Sequence, residues 1–228
     1  VEIGGEARAY PLYWMRFHEV ANDTLGGTPV LVLMHPVSRT VAVYDRRVGG
    51  RTREFGTSGL VVDSTMMLYA RQRDEAGELV VEGDRVALWD PRTGAAVTGP
   101  DLEDGLELQR VPFVLTHYGR WMQMHPGSTI AARDENLLDR YKNSSFDRYW
   151  AGDEPLFDLS APAPSPPRSL EACIVLPGAA DGADLVIPES WIVRFAEPSG
   201  GAEDPGVRTW WLDVGDRRVG LQHRDEPA

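Results

Sequence analysis

Pro29-Val30-Leu31-Val32-Leu33-Met34, then His35-Pro36-Val37-Ser38-Arg39, then Thr40-Val41-Ala42-Val43-Tyr44-Asp45 is the stretch on which the reading of the fold turns. The first six residues are apolar on both faces, the pattern of an interior strand. Proline and serine then turn the chain. Thr40 to Asp45 alternates, with Val41, Val43 and Asp45 on one face and Thr40, Ala42 and Tyr44 on the other. Two adjoining strands at the centre of a sheet are the expected outcome.

Working outward, Gly4-Gly5 signals a turn and Pro11 suits a first helical position. Trp14, Phe17, His18 and Ala21 recur at helical spacing, and Gly26-Gly27 is expected to end that helix. Downstream, Gly49-Gly50 makes a hairpin into Arg51 to Phe55, and Asp63-Ser64 interrupts the apolar run Leu60 to Tyr69. Asp90-Pro91-Arg92-Thr93-Gly94 has turn chemistry between two short strands. Thr116 is placed to cap a short helix, and another is expected between Glu135 and Tyr141. Residues 160–169 alternate proline with small residues, as an extended connector does. Cys173 to Leu176, Trp191 to Phe195, Val207 to Val214 and Arg218 to Gln222 read as a strand meander. Trp210 and Trp211 must point to opposite faces if they lie in a strand. The expected fold is α+β: a β-rich mixed or antiparallel core, a few short helices and a C-terminal meander. The expected organisation is a main domain over 1–159, a connector over 160–169 and a β segment over 170–228 packed on the main domain.

The chain has 228 residues, 42% hydrophobic and 25% charged, enough for a real core. No run of about 18 apolar residues occurs, so no membrane-spanning helix is expected. A net charge of −12 repels phosphate backbones and anionic lipid, which disfavours nucleic acid and membranes as partners. Cys173 is the only cysteine, too few for an internal disulfide or a thiolate metal site. That fits a cytoplasmic protein, while a start at Val1 leaves room for a removed signal peptide. Neither a dinucleotide fingerprint nor a phosphate-binding loop is present. The five histidines are scattered, so no metal and no cofactor is expected. Gly56-Thr57-Ser58-Gly59 comes near a nucleophile elbow, but its second glycine is one position early and strand-forming residues follow.

Several stretches, in order and spacing, carry a family resemblance: Gly5-Glu6-Ala7-Arg8-Ala9-Tyr10-Pro11-Leu12, His18-Glu19-Val20-Ala21-Asn22-Asp23, Gly26-Gly27-Thr28-Pro29-Val30, Tyr44-Asp45-Arg46-Arg47-Val48 and Phe55-Gly56-Thr57-Ser58-Gly59-Leu60. Leu68-Tyr69-Ala70-Arg71-Gln72, Leu88-Trp89 and His125-Pro126 match more weakly. On these the first two-thirds resembles a bacterial family, domain-of-unknown-function family 3179, while the C-terminal part matches poorly. Members of that family usually carry Cys-Pro-Leu-Cys-Gly-Thr after the buried strand, a segment suited to redox or metal chemistry. Here the same place reads His35-Pro36-Val37-Ser38-Arg39-Thr40. The resemblance implies a fold and a site location, and the missing thiols exclude dithiol chemistry there.

The candidate catalytic residues are His35, Asp45, Asp63 and His18. His35 stands where a strand exits into a turn, able to act as acid or base or simply to cap the turn. Asp45, if it faces the interior, must be paired or have a raised pKa; it is either a base or the partner of Arg46 or Arg47. Asp63 with Ser64 needs partners or marks a bulge. His18 is a candidate catalytic group or a satisfied core histidine. Glu19, Ser38, Arg46, Ser58 and Arg71 are the candidate substrate contacts, the arginines for holding an anionic group. The leading expectation is a cofactor-independent small-molecule enzyme doing non-redox acid–base chemistry, lyase-like elimination or intramolecular cyclisation, in bacterial specialised metabolism. The alternatives are a non-catalytic subunit paired with a related chain, with Trp210 and Trp211 at the interface, or a ligand-binding module.

Overall fold

The computed structural model describes residues 1–73, 79–80, 86–142, 146–152, 156–157, 173–180, 183–188, 196–198, 207–214 and 217–224. The chain divides into two compact units, Val1–Tyr149 with Pro155–Ala161, and Trp150–Glu154 with Pro162–Ala228. The fold is α+β and β-rich: antiparallel sheets with a few short helices. No helix among the described residues is long and apolar enough to cross a membrane.

In the first unit, β1 (Glu2–Ile3), β2 (Glu6–Ala9), α1 (Leu12–His18) and β3 (Val20–Leu25) precede the decisive pair, β4 (Thr28–His35) and β5 (Thr40–Asp45). These three strands form one antiparallel sheet with β4 in the centre, Val20 opposite Leu33 and Val30 opposite Asp45. A central strand has neighbours on both edges and covered faces, which is why Val30 to Met34 are all buried. The helix stops at His18, earlier than the spacing of Trp14, Phe17, His18 and Ala21 suggests. Glu19 takes φ 61 and its N–H closes on Met15 O, and the chain then leaves as a strand whose pairing reaches back to Glu19 through Met34 N–H. Gly26-Gly27 therefore ends a strand rather than a helix.

A hairpin of β6 (Arg47–Val48) and β7 (Arg51–Thr52) leads to β8 (Glu54–Val62) and β9 (Thr65–Arg73), followed by β10 (Leu79–Val80) and β11 (Leu88–Trp89), both paired with β9. Asn22 joins the two sheets. Its side-chain amide donates to Phe55 O at 2.8 Å and accepts from Phe55 N–H at 2.9 Å, replacing one step of a backbone ladder. The core lies beneath them, with Leu31, Leu33, Tyr44, Phe55, Leu68 and Trp89 all buried. Phe55 meets Trp89 edge to face at 5.6 Å. Burial pushes the Tyr44 hydroxyl up to about 12, and it donates to Pro91 O. Further on come α2 (Gly99–Glu103), α3 (Tyr118–Met124), β12 (Thr129–Ile130, parallel to β2), a single 3-10 turn at Glu135–Leu137 running into α4 (Leu138–Lys142), and α5 (Phe146–Trp150). His117 rather than Thr116 holds the cap position of α3.

In the second unit β13 (Cys173–Ala180) pairs with β14 (Ala183–Pro188), and β15 (Glu197–Pro198), β16 (Val207–Val214) and β17 (Arg217–Arg224) form a second antiparallel sheet. The two tryptophans do point apart: Trp210 packs with Ile187 and Leu221, and Trp211 is exposed under the Arg218 guanidinium. Residues 160–169 and Trp191 to Phe195 lie outside the described residues.

The Gly26-Gly27 turn supplies a paired test. Both glycines have positive φ, 54 and 75, yet a Cβ on Gly26 would sit 2.1 Å from Ile3 O whereas one on Gly27 meets nothing within 4 Å. Gly27→Ala is expected to cost about 1 kcal/mol, the left-handed backbone penalty alone. Gly26→Ala adds a backbone clash and is expected to cost about 2–4 kcal/mol by denaturant titration. Equal costs would mean that β1 shifts away freely.

Candidate functional site

The site is built around His35, the last residue of β4. The imidazole is buried, at 5% exposure, and both ring nitrogens are engaged. Nδ1 lies 2.9 Å from Glu19 Oε2, and Nε2 lies 3.2 Å from the main-chain oxygen of Ser64 at the β8–β9 tip. Both partners are acceptors, so a ring protonated on both nitrogens satisfies both contacts, and a neutral ring satisfies one. The α1–β3 junction sets Glu19 beside Met34, next to His35 in the strand. Beyond Ser64, Asp63 lies 3.9 Å from Arg92, whose guanidinium also forks onto Asp90 at 2.7 Å and 3.0 Å. The Ser64 hydroxyl donates to Phe157 O at 3.0 Å.

Backbone strain concentrates here. Four non-glycine residues among those described have positive φ: Glu19, Arg39, Asp63 and Ser64. Glu19 and Ser64 touch His35, Asp63 precedes Ser64, and Arg39 lies in the turn that closes β4 onto β5. Four two-residue hairpin turns with positive φ at both positions are described in this unit. Three are Gly-Gly (Gly4-Gly5, Gly26-Gly27, Gly49-Gly50), as such turns favour. The fourth, facing His35, is Asp63-Ser64, with φ 49 and 58. Side chains held in that conformation cost about 1–2 kcal/mol each, and such outliers gather at functional sites.

With this geometry in view, the family model described as "Protein of unknown function (DUF3179)" matches residues 1–219, well past His125-Pro126 and into the second unit. The chain belongs to the DUF3179 family. No curated protein and no solved structure matches it.

In this DUF3179 chain the sequence-derived candidates do not form one cluster. Glu19, His35 and Asp63 belong to the same neighbourhood, but Asp45 does not. Val30 pairs with Asp45 and His35 with Thr40, so Asp45 is at the other end of the β4–β5 ladder, about 16 Å along the strands. Its carboxylate is forked by Arg47 and accepts the Arg47 N–H. The Arg47 side chain holds that carboxyl below its ordinary value, against partial burial. Arg46 is buried and donates to three main-chain oxygens, Val30, Arg53 and Asp23. It fastens β4, β3 and the start of β8 together. His18 Nε2 meets Tyr141 Oη at 2.5 Å, tying α1 to α4. Ser38 bonds Thr40 within its turn, and Ser58 closes the irregularity in β8 through Met67 O and Leu60 N–H. Arg71 lies over the Tyr69 ring at 5.2 Å on β9.

Sequence reasoning did not single out Arg92, Asp90 or Phe157 as parts of this neighbourhood, nor the polar node where Asp23 accepts from Arg8 and Tyr10. The one available signal was Asp-Ser standing where a tight hairpin wants glycine.

The Asp45 fork predicts a pH dependence. The folded carboxyl titrates below its ordinary value of 3.8, so near that pH the unfolded chain binds more protons and stability rises with pH. The contribution is complete above 3.8 and is lost as pH falls below it. Asp45→Asn should flatten the acid limb of urea-midpoint against pH; an unchanged slope would show that the fork contributes nothing.

Proposed function

We propose that the protein is a small-molecule enzyme of non-redox acid–base type, with His35 as the group that exchanges protons with the ligand. The observation that carries this reading is the convergence of strained residues on one carboxylate-held imidazole. Glu19 fixes the ring orientation and compensates the imidazolium charge, as an orienting carboxylate does for a catalytic histidine. Asp63, beside Ser64 and close to Arg92, supplies a carboxylate, and Arg92 supplies a cation for a departing anion. Acid and base groups flanking one ligand suit elimination or intramolecular cyclisation. The only cysteine is Cys173, so no dithiol step is available.

The test is untargeted. Purified protein is incubated with a fractionated bacterial metabolite extract and followed by mass spectrometry. Conversions that conserve mass or lose water or a small acid are expected, and they should disappear with His35→Gln. If no conversion depends on His35, the reading fails. One feature favours a second reading, a non-catalytic subunit: Phe113, Val114, Leu115 and Tyr118 are exposed in succession. That reading is favoured if the protein co-purifies with a related chain and no conversion depends on His35.

A further inference from the structure

The chain has a net charge of −12, yet the stretch from Leu108 to Arg133 contains no carboxylate and carries Arg110, Arg120 and Arg133. Within it residues 112–120 are all exposed, Phe113, Val114, Leu115 and Tyr118 among them. Arg110 donates to the main-chain oxygen of Arg92, and Arg120 donates to the Gln123 side chain, so both meet neutral partners. Immediately before this stretch the chemistry inverts. Val97 and Leu102 are exposed apolar residues, and Glu103, Asp104 and Glu107 are exposed beside them in the chain. Residues 106–111 join the two patches as an extended segment: Glu107 bridges to Ala95, Arg110 bridges to Tyr44, and Val111 N–H donates to Val43 O. At the rise of a strand that segment separates them by about 20 Å.

We propose that these patches are the two halves of a homodimer interface, in which the basic apolar patch of each copy receives the acidic apolar patch of the other. Two different but complementary patches on one molecule build open chains unless a two-fold axis passes between them, and then each contact occurs twice. Charge complementarity names the occupant, because the surface that fits the arginine-flanked patch is carried by the chain itself. A standard interface takes about 800 Å² from each partner, over half of it apolar, and six large exposed apolar side chains with a charged rim have that character. The overall charge of each copy is spread over its surface and screened beyond about 8 Å at physiological salt. Opposite charges within the contact act at closer range than that repulsion. An anionic bilayer would satisfy the arginines but repel the acidic patch, and the irregular backbone of residues 111–117 has no place in hydrocarbon. The inference goes beyond the acid–base reading and does not depend on it. It gives to a second copy the residues that the subunit reading gives to a related chain.

Sedimentation velocity reads the association directly. Wild-type protein at about 100 µM, above the micromolar limit of interfaces of this size, is expected to sediment as a dimer. Leu115→Asp spoils the basic patch and Leu102→Lys the acidic one. Both side chains are more than half exposed, at 64% and 51%, so the fold should survive either change. Each variant alone should associate at least about tenfold more weakly. An equal mixture of the two should recover dimer. In the mixed dimer one of the two contacts is intact, and the other sets the new aspartate against the new lysine. If a urea midpoint shows that either variant is unfolded, Arg120→Glu and Glu103→Arg repeat the exchange with charge alone. A mixture no better than its components overturns the reciprocal pairing. A wild-type monomer overturns the whole proposal, including a monomer that floats with phosphatidylcholine–phosphatidylglycerol vesicles or binds a related chain.

Discussion

His35→Gln is expected to lower kcat for any conversion the protein performs by about two to four orders of magnitude, the usual contribution of a positioned acid or base. Glutamine keeps a similar volume and an NH2 that can donate to one of the two acceptors, so the fold is expected to survive and the loss to be chemical. Glu19→Gln should cost less, because it leaves the imidazole in place but removes the carboxylate that orients it. The decisive measurement is the double variant. Glu19 acts on the ligand only through His35, so losing both should cost no more than losing His35 alone. The Glu19 variant should also lower kcat with KM unchanged, a split that a merely structural role would not produce. Additive losses would show that Glu19 reaches the ligand by itself, and the assignment of the pair would be wrong.

How much of this could be read in advance depends on which interactions are periodic. The β4–β5 pair was legible because burial imposes its pattern on consecutive residues. Val30 to Met34 are apolar throughout, and Thr40 to Asp45 alternates. The α1–β3 junction was not, because residues 14 to 24 carry two periods at once. Trp14, Phe17, His18 and Ala21 fit a helix, while Val20, Asn22 and Thr24 fit a strand. Pairing of Val20 with Leu33 decides between them, and that is a tertiary contact. The candidate site was legible as a place and not as a set of partners. His35 stood out at a strand exit, but its carboxylate is sixteen positions away, and only the β3–β4 register shows that Glu19 arrives beside it. Asp45 looked equally suited by composition. What separates the two carboxylates is the strand end each occupies, and no local pattern encodes that.

Arg46→Met is expected to destabilise the protein by about 3–5 kcal/mol, because it removes three hydrogen bonds from a charged donor, at about 1.5–3 kcal/mol each, with part recovered by water. The sequence offered two adjacent arginines beside a candidate base, and only their surroundings distinguish them. Arg46 is 7% exposed, and its guanidinium donates to the main-chain oxygens of Val30, Arg53 and Asp23. Methionine matches the apolar stem but satisfies none of the three. Lysine has three donors on a single nitrogen and cannot span three acceptors held by different strands, so Arg46→Lys should fall between wild type and Arg46→Met. Arg47 is the comparison: its side chain is 57% exposed, but the carboxylate it forks is only 11% exposed and keeps the Arg47 N–H after substitution, so Arg47→Met should lower the midpoint by less than Arg46→Met does. Equilibrium urea unfolding ranks all three. The outcome bears on function as well as on stability. If Arg46→Met unfolded at the wild-type midpoint while turnover was lost, the guanidinium would be a ligand anchor rather than a strut, and the site would have to be sought at the Asp45 end of the sheet instead of around His35.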